Sequence, residues 1–138
     1  MEPRDPREEL SADLSVFLRA MARADFAWGT CDCALTMADW CRRARGIDPA
    51  APLRGRYRTA RAAARMVRRR GGFEAAVRAL MDAAGFAPTD TPRPGDVGLV
   101  AHPAVGPACA IRCALGWAVK GQAGVALGAF PTCAAWRL

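Results

Sequence analysis

The feature that most constrains this chain is a change of hydrophobic rhythm at Pro88. Before it, apolar residues recur at helical spacing; after it, short apolar runs are punctuated by Gly and Pro. Leu10, Leu14, Phe17, Leu18 and Met21 mark one buried face of a helix from about Glu8 to Arg23. A second helix is expected from Cys33 to Arg45, capped by Asp32, stopped by Gly46, with Cys33, Met37, Trp40, Cys41 and Ala44 inward. Pro49 and Pro52 make the next stretch a loop. Two further helices follow, one reaching Arg70 before Gly71-Gly72, the other running from Phe73 to Ala84 before Gly85. Then come a turn at Pro92–Asp96 and strands at Val97–Val100, Cys109–Ala114, Gly116–Lys120 and Gly124–Leu127, with a last edge strand at Ala134–Leu138. Helices first and strands afterwards predict an α+β domain, a helical layer on an antiparallel sheet.

At 138 residues the chain is expected to be a single domain over 1–138, with about 1–88 helical and about 92–138 a β-meander. No apolar run approaches the roughly 18–20 residues of a membrane span, and Met1-Glu2-Pro3-Arg4-Asp5 lacks the apolar core of a signal peptide. The six cysteines do not carry the spacing of a secreted disulfide framework, and they read as thiols made in a reducing cytosol.

Charge is unevenly placed. The formal balance is +7, and eleven arginines fall between Arg42 and Arg70 with Asp48 as the only acid among them. The first thirteen residues are acidic instead, with Glu2, Asp5, Glu8, Glu9 and Asp13. Arg58, Arg61, Arg65, Arg68 and Arg69 share one side of the third helix, opposite Ala60, Ala63, Ala64 and Val67. Such a stripe is most often a solvated face, and it also suits an anionic neighbour. Tyr57 is the only aromatic beside it, which disfavours a base-stacking surface for nucleic acid.

The densest chemical information lies in Phe26-Ala27-Trp28-Gly29-Thr30-Cys31-Asp32-Cys33. This turn delivers the Cys33 thiol to a helix N-terminus, where unpaired N–H groups and the macrodipole favour an anion. A thiol there ionises more readily than the ordinary ~8.5 and becomes a nucleophile near neutral pH. A buried structural cysteine is the plainer reading of the same residue. Cys31, Cys33, Cys41, Cys109, Cys113 and Cys133 lack the CxxC knuckle of a zinc site, so no metal or other cofactor is expected.

Phe26-Ala27-Trp28-Gly29, Asp32-Cys33, Ala38-Asp39-Trp40, Gly55-Arg56-Tyr57-Arg58, Gly95-Asp96-Val97 and the terminal Ala135-Trp136-Arg137 together resemble the NlpC/P60 superfamily. These are papain-like cysteine peptidases of bacterial cell-wall peptides, and the similarity is greatest to a branch encoded in phage and prophage tail clusters. It extends from about residue 14 to the end. The resemblance implies a papain-like fold with Cys33 as the nucleophile and Trp28, Gly29, Asp32 and Asp96 in supporting positions. It places the expected base on or beside Cys109, where no histidine stands. The one histidine, His102, is the remaining candidate base, with Lys120 or Gln122 as orienting groups.

If Cys109 lies opposite Cys33, two thiols meet where a Cys–His pair normally sits, a geometry suited to a disulfide or part of a metal site. The expectation is therefore a structural tail protein of a phage or phage-like particle, located in the virion, with a degenerate site. Its partners would be other tail proteins, with peptidoglycan as a further contact. The alternatives are an active peptidoglycan endopeptidase using Cys33 and His102, and non-specific nucleic-acid binding through the arginine-rich helix.

Overall fold

The computed structural model describes residues 5–138; Glu2 of the acidic N-terminal cluster lies outside them. Four helices are followed by five strands: α1 Pro6–Arg23, α2 Cys33–Arg45, α3 Ala60–Arg69, α4 Phe73–Ala83, β1 Val97–His102, β2 Gly106–Cys113, β3 Gly116–Gly121, β4 Gly124–Gly128 and β5 Thr132–Trp136. The chain is thus α+β, and among the described residues no helix is long and apolar enough to cross a membrane.

Local chemistry accounts for the helix ends. Asp5 caps α1 by accepting from the Arg7 N–H at 3.0 Å, and Pro6 sits where its missing N–H costs nothing. The start at Pro6 falls earlier than the hydrophobic stripe indicates, because Pro6 to Glu9 are exposed and leave no apolar trace. Asp32 caps α2 through the Leu35 N–H at 2.9 Å, and Gly46 ends it in the left-handed region. Thr59 caps α3.

The sheet is antiparallel throughout, in the order β4-β3-β2-β1-β5. β5 forms an edge against β1 as expected, although it starts at Thr132 and stops at Trp136. Side chains alternate between the two faces. Val97, Leu99, Cys109, Ile111, Ala118 and Trp136 pack under α1 and α2 with Leu14, Met21, Met37 and Trp40. Val100, Ala108, Ala110, Trp117, Val119 and Ala135 fill the other face. Trp117 spans that face: its indole N–H donates to Thr132 at 3.0 Å, and a Cβ at Gly98 would come within 2.7 Å of its ring. Burying a side chain of this size contributes about 2–3 kcal/mol.

Helix α2 is buried on more sides than its stripe suggests. Leu35 and Ala38, outside the expected inner face, pack with Ala50 and Tyr57 from the following loop. That loop is clamped by Asp48, which accepts from the Ala50 N–H and from Arg54. Arg54 bridges on to Asp39 at 2.7 Å.

Candidate active site

The six motifs read separately in the sequence converge on two knots, each built on a buried aspartate. At the first, the chain doubles back between Ala27 and Cys31, which exchange backbone hydrogen bonds of 3.0 and 2.8 Å. Gly29 turns the corner at φ 81°, and a Cβ there would lie 1.8 Å from the Tyr57 carbonyl oxygen. Only glycine fits, for conformation and for space. Trp28 packs edge-on to Phe26, ring centroids 5.0 Å apart, and joins the cluster around Leu35 and Tyr57.

Asp32 ties this turn to α2. One carboxylate oxygen accepts from the Leu35 N–H; the other accepts from the Gly29 N–H at 3.1 Å and the Tyr57 hydroxyl at 2.5 Å. The carboxylate is 2% exposed and, among the described residues, pairs with no cation. Burial, then the bond to Asp32, raises the Tyr57 phenol, which stays a hydrogen-bond donor at any physiological pH. In the sequence Tyr57 stands out as the aromatic beside the arginine stripe and within Gly55-Arg56-Tyr57-Arg58, and neither feature pairs it with Asp32. A buried carboxylate needing a third donor was the signal for it.

Cys33 is the first residue of α2 and is half-buried, with Cys109 facing it from β2. A hydrogen bond from the Cys109 thiol draws the Cys33 thiol below its ordinary value; burial and the Asp32 charge oppose this, while the Cys109 and Ala34 N–H groups assist. Cys109, 1% exposed, is pushed well above its ordinary value, first because its proton is given to Cys33 and then by burial. The pair therefore ionises at Cys33. The position where the resemblance expects an imidazole holds a thiol.

His102 lines the same cleft as Cys33, at the tip of the first hairpin, and is set apart from Cys109. It ends β1, three residues beyond Leu99, the partner of Cys109, which is about 10 Å along the strand. By alternation it shares the face of Val100, away from Cys109. Its ring packs on Phe130, centroids 4.9 Å apart, and its Nδ1 accepts from the Ala104 N–H at 3.0 Å. Lys120 is not an orienting group: 3% exposed, it donates to the Met21 and Ala24 carbonyls and caps the C-terminus of α1. Gln122 lies in the β3–β4 turn.

Asp96 builds the second knot, away from Cys33. Its carboxylate accepts from the Arg93 N–H at 2.8 Å, the Leu138 N–H at 2.9 Å and the Arg137 guanidinium at 3.1 Å. The Trp40 indole donates to the Gly95 carbonyl at 2.7 Å. Ala38-Asp39-Trp40, Gly95-Asp96-Val97 and the terminal Ala135-Trp136-Arg137 are thus one structural joint.

A cleft of about 880 Å³ opens beside Cys33. One wall is the apolar side of α3 with α4, through Ala63, Val67, Phe73 and Val77; the other is the tips of the two β-hairpins. The size suits a ligand or a peptide segment. Helix α3 buries no residue fully: Ala62, Ala63 and Met66 pack against the cluster of Leu35 and Tyr57, and Ala63, Ala64 and Val67 line the cleft. Arg56, Arg58, Arg61, Arg65, Arg68, Arg69 and Arg70 are exposed and meet no carboxylate among the described residues. Arg70 reaches the cleft wall. Among the described residues no three His, Cys, Asp or Glu side chains converge as metal ligands.

The family described as a domain of unknown function (DUF6950) matches residues 6–138. No curated protein and no solved structure matches the chain.

Proposed function

The chain belongs to the DUF6950 family, and on that premise we propose that it is a papain-like scaffold of the NlpC/P60 kind that does not hydrolyse and serves as a tail-associated structural protein. It would be made in the bacterial cytoplasm and carried in the virion of a phage or phage-like particle. The observation that carries the non-hydrolytic part is that Cys33 packs against the buried cluster holding the Cys109 thiol, where the resemblance expects an imidazole. Acyl transfer needs a group that takes the nucleophile's proton and hands it to the leaving amine, with a pKa near the working pH. Cys109 is held well above that range by its own bond to Cys33 and by burial.

The cleft supports docking over wall cleavage. Wall peptides carry free carboxylates, and the cleft walls supply mostly alanine, valine and phenylalanine. Its cations are Arg70 and a Lys120 already committed to α1 carbonyls. An apolar segment of a neighbouring tail protein fits these walls, with acidic residues meeting the outer arginines of α3.

Two experiments test the reading. Purified protein incubated with peptidoglycan should release no stem peptides above a Cys33→Ala control; cysteine-dependent release refutes the loss of hydrolysis. Purified particles should contain the chain, and Arg61→Glu, Arg65→Glu and Arg68→Glu together should remove it from them. Particles lacking the wild-type chain refute the tail assignment.

A further inference from the structure

Cys33 lines the cleft, whereas Cys109 is sealed beneath α2 in the core shared by helices and sheet. Cys33 packs against the buried cluster that holds Cys109, yet only Cys33 can meet a solute. We infer that Cys33 and Cys109 form a reversible dithiol–disulfide centre, with Cys33 as the attacking thiol and Cys109 as the resolving one. The co-reactant is a small-molecule disulfide admitted through the cleft. This inference does not rest on the tail assignment.

The Cys33 thiolate, its proton lost to water, attacks one sulfur of the small disulfide; that S–S bond breaks and the departing thiolate takes up a proton. Cys33 is then held in a mixed disulfide and no longer carries charge. The Cys33 anion was one cause keeping Cys109 protonated, so Cys109 now releases its proton more readily. It attacks the Cys33 sulfur, and the second small thiol leaves with that proton. In total a protein dithiol and one disulfide become a protein disulfide and two small thiols, two electrons passing to the co-reactant.

The division of labour follows from burial and bonding. The attacking sulfur sits at a helix N-terminus and is open to the cleft. The other thiols are differently placed. Cys41 is buried, and burial pushes it up to about 12. Cys113 donates to the Gly116 carbonyl at 3.1 Å. Cys133 is exposed on β5 and is the competing external thiol.

The test uses the full chain in a Cys133→Ser background, incubated with glutathione disulfide, alkylated, digested and mapped by mass spectrometry. The expected product is a peptide pair linked Cys33–Cys109, lost on reduction with dithiothreitol. In Cys109→Ala the glutathione adduct on Cys33 should accumulate about tenfold over the parent, because the resolving step is gone. Should that variant not fold, the parent's map alone decides. Separate alkylation of Cys33 and Cys109 after oxidation overturns the inference, and so does a Cys31–Cys33 link in their place.

Discussion

Asp32 and Asp96 are both 2% exposed, and each accepts three or more hydrogen bonds from a tight turn and a distant element. Asp96 has the Arg137 guanidinium at 3.1 Å, so its charge is neutralised where it sits. Asp32 has only neutral donors, and its charge reaches outward: it contributes to raising Tyr57, Cys33 and Cys109. One knot closes the chain terminus onto the sheet. The other keeps an uncompensated anion beside a thiol, an arrangement that stability alone does not call for. Buried carboxylates of equal exposure thus serve a joint in one place and tune chemistry in the other, and the neighbouring cation decides which.

The largest loss of stability is expected at the Asp32 turn. Gly29→Ala must move the Tyr57 backbone or the turn, and should cost ~4 kcal/mol in urea unfolding. Gly46→Ala, also at positive φ but with open space around it, should cost only about 1 kcal/mol. Equal costs would show that conformation, and not the Tyr57 contact, fixes the turn. Asp96→Ala leaves Arg137, half-buried, and the Leu138 N–H without their acceptor, for a loss of about 3 kcal/mol by the same measurement.

Tyr57→Phe removes one donor from Asp32 and should cost about 2 kcal/mol. A neutral result would mean that water replaces the hydroxyl.

The smallest effect is the most discriminating. Cys33 should be alkylated by iodoacetamide with a pH midpoint below that of an ordinary thiol, since its pKa is lowered chiefly by the Cys109 hydrogen bond. Asp32→Asn keeps the cap but removes a charge that raises Cys33, so the midpoint moves to still lower pH. Asp96→Asn should leave it where it was. A shift in both variants would mean that the two knots are not electrostatically separate.

Much of this was readable along the chain. The capped start of α2 at Cys33, its stop at Gly46 and the break at Gly71-Gly72 follow from single residues whose preferences are local. The candidate site was readable in part: the resemblance placed a thiol opposite Cys33, and the fold sets Cys109 there. The Tyr57 bond to Asp32 spans 25 residues and Lys120 reaches back 99 positions to α1; neither leaves a periodic signal. Leu35 and Ala38 became core because a loop rich in proline folded over them, which no helical stripe records.

Sequence alone determined where elements begin and end, the α+β order and the thiol at a helix start, because caps, glycine turns and hydrophobic period act over a few residues. The tertiary structure decided what each buried polar group faces. It set a thiol against Cys33, left Asp32 without a cation, held His102 on Phe130 at the rim of the cleft and opened that cleft beneath α3. Those outcomes depend on strand register and alternation, where a shift of one residue would exchange the two faces.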